Sequence, residues 1–241
     1  MSILKILLLL VISTATEAQR RPANITLGSS LTPTSNSSWL SPSGVYAFGF
    51  FPQHVNSYAV GIFLPDKTVV WTANRDTNPT VPADVASLLL TPEGRLVLRR
   101  RQGQDVDVIS PSITTIASAS MNDNGNFVLY DSDSRIIWQS FDNPTNTLLP
   151  GQRLLRGKEI FSSASETDHG RGNFRLKMQT DGNLVQYPIN MPDAPPYAYY
   201  ASETNTVGNY DPSLRPTMKN VLLMLEGIVE ISEPPSPTSF S

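Results

Sequence analysis

The chain has 241 residues, a formal net charge of −3 and no cysteine, which excludes disulfides, thiolate zinc sites and a cysteine nucleophile. Its two histidines, His54 and His169, leave little room for a histidine-based metal site or a catalytic triad. Charges of both signs with a slightly negative sum disfavour nucleic acid as a partner.

The N-terminus has the organisation of a secretory signal peptide. One lysine precedes an apolar run over 6–12, and the small side chains of Thr16 and Ala18 suit the positions that a signal peptidase reads. We therefore predict a signal peptide over 1–18. The run is shorter than the about 20 residues that span a bilayer, and no later segment qualifies, so we expect a secreted product without a membrane anchor.

Two N-x-S/T sequons follow the predicted signal peptide in a stretch rich in Ser, Thr and Pro. They begin at Asn24 and Asn36. In a secreted chain such triplets predict N-glycosylation of an exposed segment.

Short β-strand runs, separated by Gly, Asn, Asp and Pro, recur between residues 25 and 190, where no sustained helical period occurs. The clearest runs are 46–51, 58–63, 68–71, 95–98, 126–130 and 135–138. A Gly followed by a Leu/Phe-Val strand recurs at 94, 125 and 182, and an aliphatic pair precedes both Trp71 and Trp138. These repeats predict three small sheets that share a core, to which the tryptophans contribute.

The nonapeptide Q-T-D-G-N-L-V-Q-Y at 179–187 carries an unusual set of side chains at alternate positions: Gln179, Asp181, Asn183, Val185 and Tyr187. In an extended chain these side chains share one face. Amide, carboxylate and phenol groups complement hydroxyls that both donate and accept, and the set contains no good nucleophile. The pattern therefore predicts binding of a hydroxyl-rich ligand, although Asp181-Gly182 is also a hairpin-turn signal.

The nonapeptide resembles, at all five fixed positions, the mannose-binding pattern Q-x-D-x-N-x-V-x-Y of bulb-type (monocot mannose-binding) lectins. The resemblance implies that Asp181 and Asn183 bind one sugar hydroxyl, that Gln179 and Tyr187 bind its neighbours, and that Val185 packs on the ring carbons. It also implies the β-prism II fold, with three four-stranded subdomains. Such binding needs no metal and no cofactor. Bulb-lectin domains often contain a disulfide, which this chain lacks.

Two other segments align with the same pattern. The first is a degenerate second site at Asn122, Asn124, Asn126, Val128 and Tyr130, where asparagine replaces both Gln and Asp. Loss of the Asp removes a charge-assisted acceptor that is worth about 1.5–3 kcal/mol. In the second segment, 91–99, Arg95 and Arg99 replace Asn and Tyr, so we expect no sugar site there and a solvated charged edge at 99–101.

Longer motifs are similar to the ectodomains of plant G-type lectin receptor-like serine/threonine kinases. They are G-V-Y-A-F-G-F-F at 44–51, V-V-W-T-A-N-R-D at 69–76, G-N-F-V-L-Y-D at 125–131 and I-W-Q-S-F-D-N-P-T-N-T-L-L-P-G-Q at 137–152. The resemblance implies two bulb-lectin units in tandem, a first over 28–150 and a partial second over 153–204. It also implies plant origin, a role in recognition or defence, and full-length relatives in the plasma membrane.

The tail at 210–241 changes character. Met218, Val221, Leu222 and Leu225 are spaced as an apolar helical stripe, and the Pro- and Ser-rich end predicts disorder. The helical part resembles the last helix of a protein-kinase C-lobe. The chain has no V-A-I-K, H-R-D or D-F-G motif, so we expect no kinase activity.

These observations favour a secreted, non-catalytic protein that binds mannose-type glycans, with its site in the second unit. A second hypothesis is a protein-interaction module with decayed sugar sites, which pairs with receptor-like kinase ectodomains as a soluble decoy. A third is a truncated gene product, because a lectin fragment joins a kinase-like end abruptly.

Overall fold

The computed structural model describes residues 23–34, 37–54, 57–76, 80–82, 87–100, 104–109 and 115–204. The predicted signal peptide, the Asn36 sequon and the 210–241 tail with its predicted helix lie outside these residues. Asn24 lies in the first strand, where only its backbone is described. Within the described ranges, no helix has the length and apolar character needed to cross a membrane.

The described residues form seventeen strands and two short 3-10 helices, Ser140–Asp142 and Pro195–Tyr197. In chain order the strands are β1 Ala23–Thr26, β2 Ser30–Leu31, β3 Ser38–Leu40, β4 Ala47–His54, β5 Ser57–Phe63, β6 Val69–Thr72, β7 Thr80–Pro82, β8 Ser87–Leu90, β9 Leu96–Arg99, β10 Val106–Ile109, β11 Ser118–Met121, β12 Phe127–Tyr130, β13 Ile136–Gln139, β14 Glu159–Ser163, β15 Arg171–Met178, β16 Leu184–Pro188 and β17 Tyr200–Ala201. The prediction of an all-β fold is confirmed over the described residues.

The strands pair antiparallel in four sheets. Sheet I has the order β1-β11-β12-β13, sheet II β10-β9-β8-β2, sheet III β3-β4-β5-β6 with β7 beside β5, and sheet IV β14-β15-β16-β17. Sheet III therefore has five strands where four were expected. The early strands β1 and β2 complete sheets I and II, whose other strands come from later in the chain.

Sheets I, II and III enclose one apolar core, as expected for a β-prism. Phe48 of sheet III, Leu96 of sheet II and Phe127 of sheet I are completely buried in it. The rings of Phe48 and Phe127 stack with centroids 3.7 Å apart, which joins two sheets at the centre. Each such side chain contributes about 1.5–3 kcal/mol on burial, and this core stabilises the unit without disulfides.

The two repeated tryptophans lie where the sequence predicted them. Trp71 is buried in the shared core, and Trp138 is half-buried against it, with ring centroids 5.7 Å apart in an edge-to-face contact. The indole Nε1 of Trp71 donates a 2.7 Å hydrogen bond to the carbonyl of Asn143. The tryptophans are therefore structural residues, as predicted.

Sheet IV lies outside the shared core and has a small apolar cluster around Leu176 and Leu184. It docks on the three-sheet unit through the buried Arg75, which donates hydrogen bonds to four backbone carbonyls within 161–170. The ring of Phe51 also meets His169, with centroids 5.4 Å apart. Sheet IV is thus supported by the three-sheet unit and is not an isolated sheet.

Candidate functional site

The nonapeptide 179–187 is a hairpin and not one extended strand. The backbone N–H of Gln179 donates to the carbonyl of Asn183 (2.8 Å), and that of Gly182 donates back to the carbonyl of Gln179 (3.1 Å). Gly182 has φ +93°, a region that glycine adopts readily. The assumption of a straight strand was therefore wrong for 179–183, where the Asp-Gly turn signal dominates. Only Val185 and Tyr187 share a strand face, in β16.

The turn nevertheless brings the ends of the nonapeptide together. The side-chain amide Nε2 of Gln179 donates a 2.7 Å hydrogen bond to the hydroxyl of Tyr187. The carboxylate of Asp181 accepts a 2.9 Å bond from the backbone N–H of Asn183, which stabilises the turn. Asp181 is exposed and Gln179 is half-buried, so these two polar groups are accessible to a ligand.

The other three of the five candidate binding side chains are buried. Asn183, Val185 and Tyr187 are 9%, 1% and 2% exposed. The Oδ1 of Asn183 accepts a 3.0 Å bond from the hydroxyl of Ser202, which in turn accepts one from the backbone N–H of Leu184 at 2.9 Å. One side of Asn183 is thus committed to holding β17 beside β16.

Two cations lie beside the buried half of the nonapeptide. In the register of β15 and β16, Arg175 is opposite Tyr187 and Lys177 is opposite Val185. The guanidinium of Arg175 stacks over the Tyr187 ring, 4.9 Å from its centroid. Asp193 joins the two cations, at 2.5 Å from Arg175 and 2.6 Å from Lys177. Arg175 also pairs with Glu159 at 3.0 Å and donates to the carbonyl of Met191 at 2.8 Å.

This charge arrangement determines the ionisation of the site. Burial, and then the negative charge of Asp193, raise the pKa of the Tyr187 phenol, so it stays neutral and can both donate and accept. The hydrogen bond from Lys177 lowers the pKa of Asp193, which is therefore ionised at neutral pH. Burial opposes the charge of Arg175, but the hydrogen bonds to Asp193 and Glu159 outweigh it and raise the pKa of Arg175.

The segment 122–130 has the same turn as the nonapeptide. The backbone N–H of Asn122 donates to Asn126 and that of Gly125 to Asn122, both at 3.0 Å. The Oδ1 of Asn124 accepts from the backbone N–H of Asn126 at 3.0 Å, as Asp181 does from Asn183. Tyr130 is half-buried here, whereas Val128 is 1% exposed.

Asn126 in this repeat is occupied by structural hydrogen bonds. Its Oδ1 accepts from the hydroxyl of Ser140 (3.2 Å) and the backbone N–H of Phe141 (3.2 Å), and its Nδ2 donates to Gln139 (2.8 Å). The pair Asn126 and Ser140 is the counterpart of the pair Asn183 and Ser202. With its amide committed, Asn126 is poorly placed to bind a sugar hydroxyl.

In the third segment, 91–99, ion pairs replace the polar binding set. Arg95 makes a bidentate contact with Asp107, with both oxygens 2.8 Å from one guanidinium nitrogen. Arg99 is exposed, as expected for a charged edge, and also pairs with Asp105 at 3.1 Å. The two arginines at the ends of the 95–99 stretch therefore pair with acidic residues in β10 and just before it.

A separate open cleft of about 570 Å³ lies where sheet IV meets the turn between β5 and β6. Its lining is mostly polar and includes Asp66, Lys67, Asn146, Ser163, Glu166 and His169. No residue of the nonapeptide lines it. No group of three or more His, Asp or Glu side chains that could hold a metal occurs in the described part of the chain.

The sequence reasoning did not single out Arg175, Lys177, Asp193 or Ser202. A hairpin predicted at Asp181-Gly182 would have identified Arg175 and Lys177. A three-residue loop at 180–182 places residue 175 opposite 187 and residue 177 opposite 185. Asp193 and Ser202 come from later turns, whose return to β16 has no local sequence signal.

Comparison with known families identifies the chain's relatives. The family model described as D-mannose binding lectin matches residues 68–167, a range that contains the 122–130 repeat and ends before the nonapeptide. Among solved structures, a domain-swapped lectin dimer from Mycobacterium smegmatis aligns with 48% of this chain and 95% of its own, at 19% identity and a TM-score of 0.24.

The curated relatives are plant receptor-like kinases. The chain is 43% identical over 217 residues to the G-type lectin S-receptor-like serine/threonine-protein kinase LECRK1 of Oryza sativa subsp. japonica. This alignment covers 84% of the chain and 26% of the relative. The chain is 35% identical over 207 residues to RLK1 of Arabidopsis thaliana, covering 78% and 25%. The chain thus spans about a quarter of the length of these relatives. It carries a bulb-type, D-mannose binding lectin domain and is homologous to the G-type lectin S-receptor-like kinases.

Proposed function

We propose that the chain binds mannose-type glycans without transforming them, through Gln179, Asp181, Asn183, Val185 and Tyr187. The observation that supports the proposal is the 2.7 Å contact between the Gln179 amide and the Tyr187 hydroxyl at the end of the hairpin. It brings together polar groups that are eight residues apart, beside the exposed carboxylate of Asp181. Amide, carboxylate and neutral phenol groups suit the paired donor and acceptor character of sugar hydroxyls.

The binding would be by hydrogen bonds, without metal, cofactor or catalysis. A single site of this kind is weak, so useful avidity needs several copies on one surface or in one assembly. We further propose that the protein is secreted, since the 1–18 segment has the pattern of a signal peptide, and that its role is recognition or defence.

The test is retention on mannose-agarose. Asp181→Ala should abolish retention, because it removes the exposed charged acceptor of the site. Asn124→Ala is the matched control: Asn124 makes the same turn hydrogen bond in the 122–130 repeat. Loss of retention by Asp181→Ala alone supports the site, and unchanged retention rules it out.

The second candidate is a protein-interaction module that pairs with receptor-like kinase ectodomains. Two observations favour it. The amide of Asn126 is used in structural hydrogen bonds, and Arg95 and Arg99 form ion pairs with aspartates, so two of the three repeats lack side chains available for a sugar. A glycan array without signal, together with capture of a receptor-kinase ectodomain, would favour this function over the first.

A further inference from the structure

Of the three aligned repeats at 91–99, 122–130 and 179–187, the last has the complete binding set and also has cations on the strand beside it, β15. Arg175 and Lys177 lie opposite Tyr187 and Val185, so the four side chains are on one face of sheet IV. The corresponding positions in the other two repeats are uncharged: Ser118 and Ser120 in sheet I, and Ser87 and Leu89 in sheet II. The cation pair is therefore a feature of the face that carries the complete binding set.

The cation pair holds a carboxylate in this structure. One oxygen of Asp193 is 2.5 Å from Arg175, and the other is 2.6 Å from Lys177. Charge-assisted bonds of this length are among the stronger side-chain contacts. Asp193 reaches the pair from the segment that follows β16, and the Met191 carbonyl is bound by the same guanidinium.

The cations that bind Asp193 also cover part of the binding face. Tyr187 is 2% exposed under the guanidinium of Arg175, whereas Tyr130, its counterpart in a repeat without cations, is half-buried. A sugar that reaches the Tyr187 hydroxyl therefore has to displace part of this cover.

The charge of the ligand decides how costly that displacement is. If a neutral hexose displaces Asp193, Lys177 loses its salt-bridge partner. Arg175, whose side chain is 9% exposed, then has one carboxylate partner fewer and pairs with Glu159. Leaving a partly buried cation without its counterion is unfavourable. A sugar that brings its own carboxylate restores the charge balance.

We propose that Arg175 and Lys177 form a carboxylate subsite beside the nonapeptide, filled by Asp193 when no ligand is bound, and that the site prefers a hexuronate to the neutral hexose. The sugar hydroxyls bind Gln179 and Asp181, and the sugar carboxylate takes the place of Asp193 between the two cations. This inference rests on the proposed function, since it assigns a ligand class to the same site.

The test compares mannose with mannuronate, in which a carboxylate replaces the C6 hydroxymethyl group, by calorimetric titration of the full chain. Wild type should bind mannuronate about tenfold more tightly, and raised salt should reduce the preference because these partly exposed charges are screened. Lys177→Gln should abolish the preference. Asp193→Asn should strengthen mannuronate binding further. The neutral amide binds the two cations less strongly than the Asp193 carboxylate does, so the sugar carboxylate displaces it more easily.

Asp193→Asn leaves Arg175 paired with Glu159, so the variant retains a counterion for the more buried cation of the pair. Asp133→Asn, which removes the negative charge of the exposed pair with Arg135, is the matched control and should change neither affinity. Equal affinities for the two sugars in wild type, or an unchanged ratio in Lys177→Gln, would overturn the inference alone. Failure of wild type itself to bind either sugar would instead overturn the proposed function.

Discussion

The guanidinium of Arg75 donates a 2.6 Å hydrogen bond to the carbonyl of Ser162, across the junction between the three-sheet unit and sheet IV. It also donates to the carbonyls of Phe161, His169 and Gly170, at 2.9, 2.8 and 3.0 Å. Burial lowers the pKa of Arg75 to about 10, so the group remains charged at neutral pH. One cation thus satisfies four carbonyls, two in β14 and two just before β15.

Replacing Arg75 should loosen sheet IV. Arg75→Ala leaves these carbonyls without their shared donor, and we expect a loss on the order of 3 kcal/mol in the free energy of unfolding. Urea unfolding followed by tryptophan fluorescence measures the loss, and limited proteolysis should show earlier cleavage after residue 150. Arg135→Ala, which removes an exposed pair with Asp133, should cost less than about 1 kcal/mol. Equal effects of the two variants would contradict the role given to Arg75.

The same junction should make stability depend on pH. Burial, and then the positive charge of Arg75, lower the pKa of His169 below its ordinary value. Since the unfolded chain takes up the proton more readily, stability should fall as the pH drops through about 6.5, the unfolded value. His169→Gln cannot titrate, so its urea midpoint should fall less between pH 7 and pH 5 than that of wild type. The same fall in both proteins would show that other groups cause it.

The strands of the three-sheet unit were predictable because their signals are local. Runs such as 58–63 and 126–130 alternate with turn residues, and they correspond to β5 at 57–63 and β12 at 127–130. The exchange of β1 and β2 into sheets built from later strands was not predictable. Those pairings join residues far apart, such as Ile25 with Ala119, and nothing in the short N-terminal strands encodes their partner.

For the candidate site, the sequence predicted five residues but not the geometry that the structure gives them. Alternation gave the five positions but implied a straight strand, whereas Gly182 turns the chain and returns Gln179 to Tyr187. The burial of Tyr187 depends on Arg175 from the preceding strand. Such packing across strands depends on register, which the turn sets and composition does not reveal.

Glycine substitutions in two of the repeated turns should differ in cost. Gly94 and Gly182 both have positive φ, at +77° and +93°. A Cβ at Gly182 would meet only Arg156, at 3.8 Å, whereas one at Gly94 would lie 2.1 Å from a methyl of Thr115 and 2.5 Å from the Ile116 carbonyl. We expect Gly182→Ala to cost about 1–2 kcal/mol from backbone strain alone, and Gly94→Ala clearly more. Urea unfolding measures the loss of free energy of unfolding in both variants, and a larger loss for Gly182→Ala would contradict the steric argument.

The two asparagine–serine pairs offer a test that separates stability from binding. Ser202 accepts from Leu184 N–H at 2.9 Å and donates to Asn183 at 3.0 Å, and Ser140 does the same for Phe127 and Asn126 at 3.0 and 3.2 Å. Ser202→Ala and Ser140→Ala should each lower the free energy of unfolding by about 1–3 kcal/mol, because each leaves a backbone N–H without its acceptor. Only Ser202→Ala should also weaken retention on mannose-agarose, since only Asn183 belongs to the proposed site and loses the contact that orients its amide. Equal retention by both variants, at matched folded fractions, would mean that the orientation of Asn183 does not matter for binding.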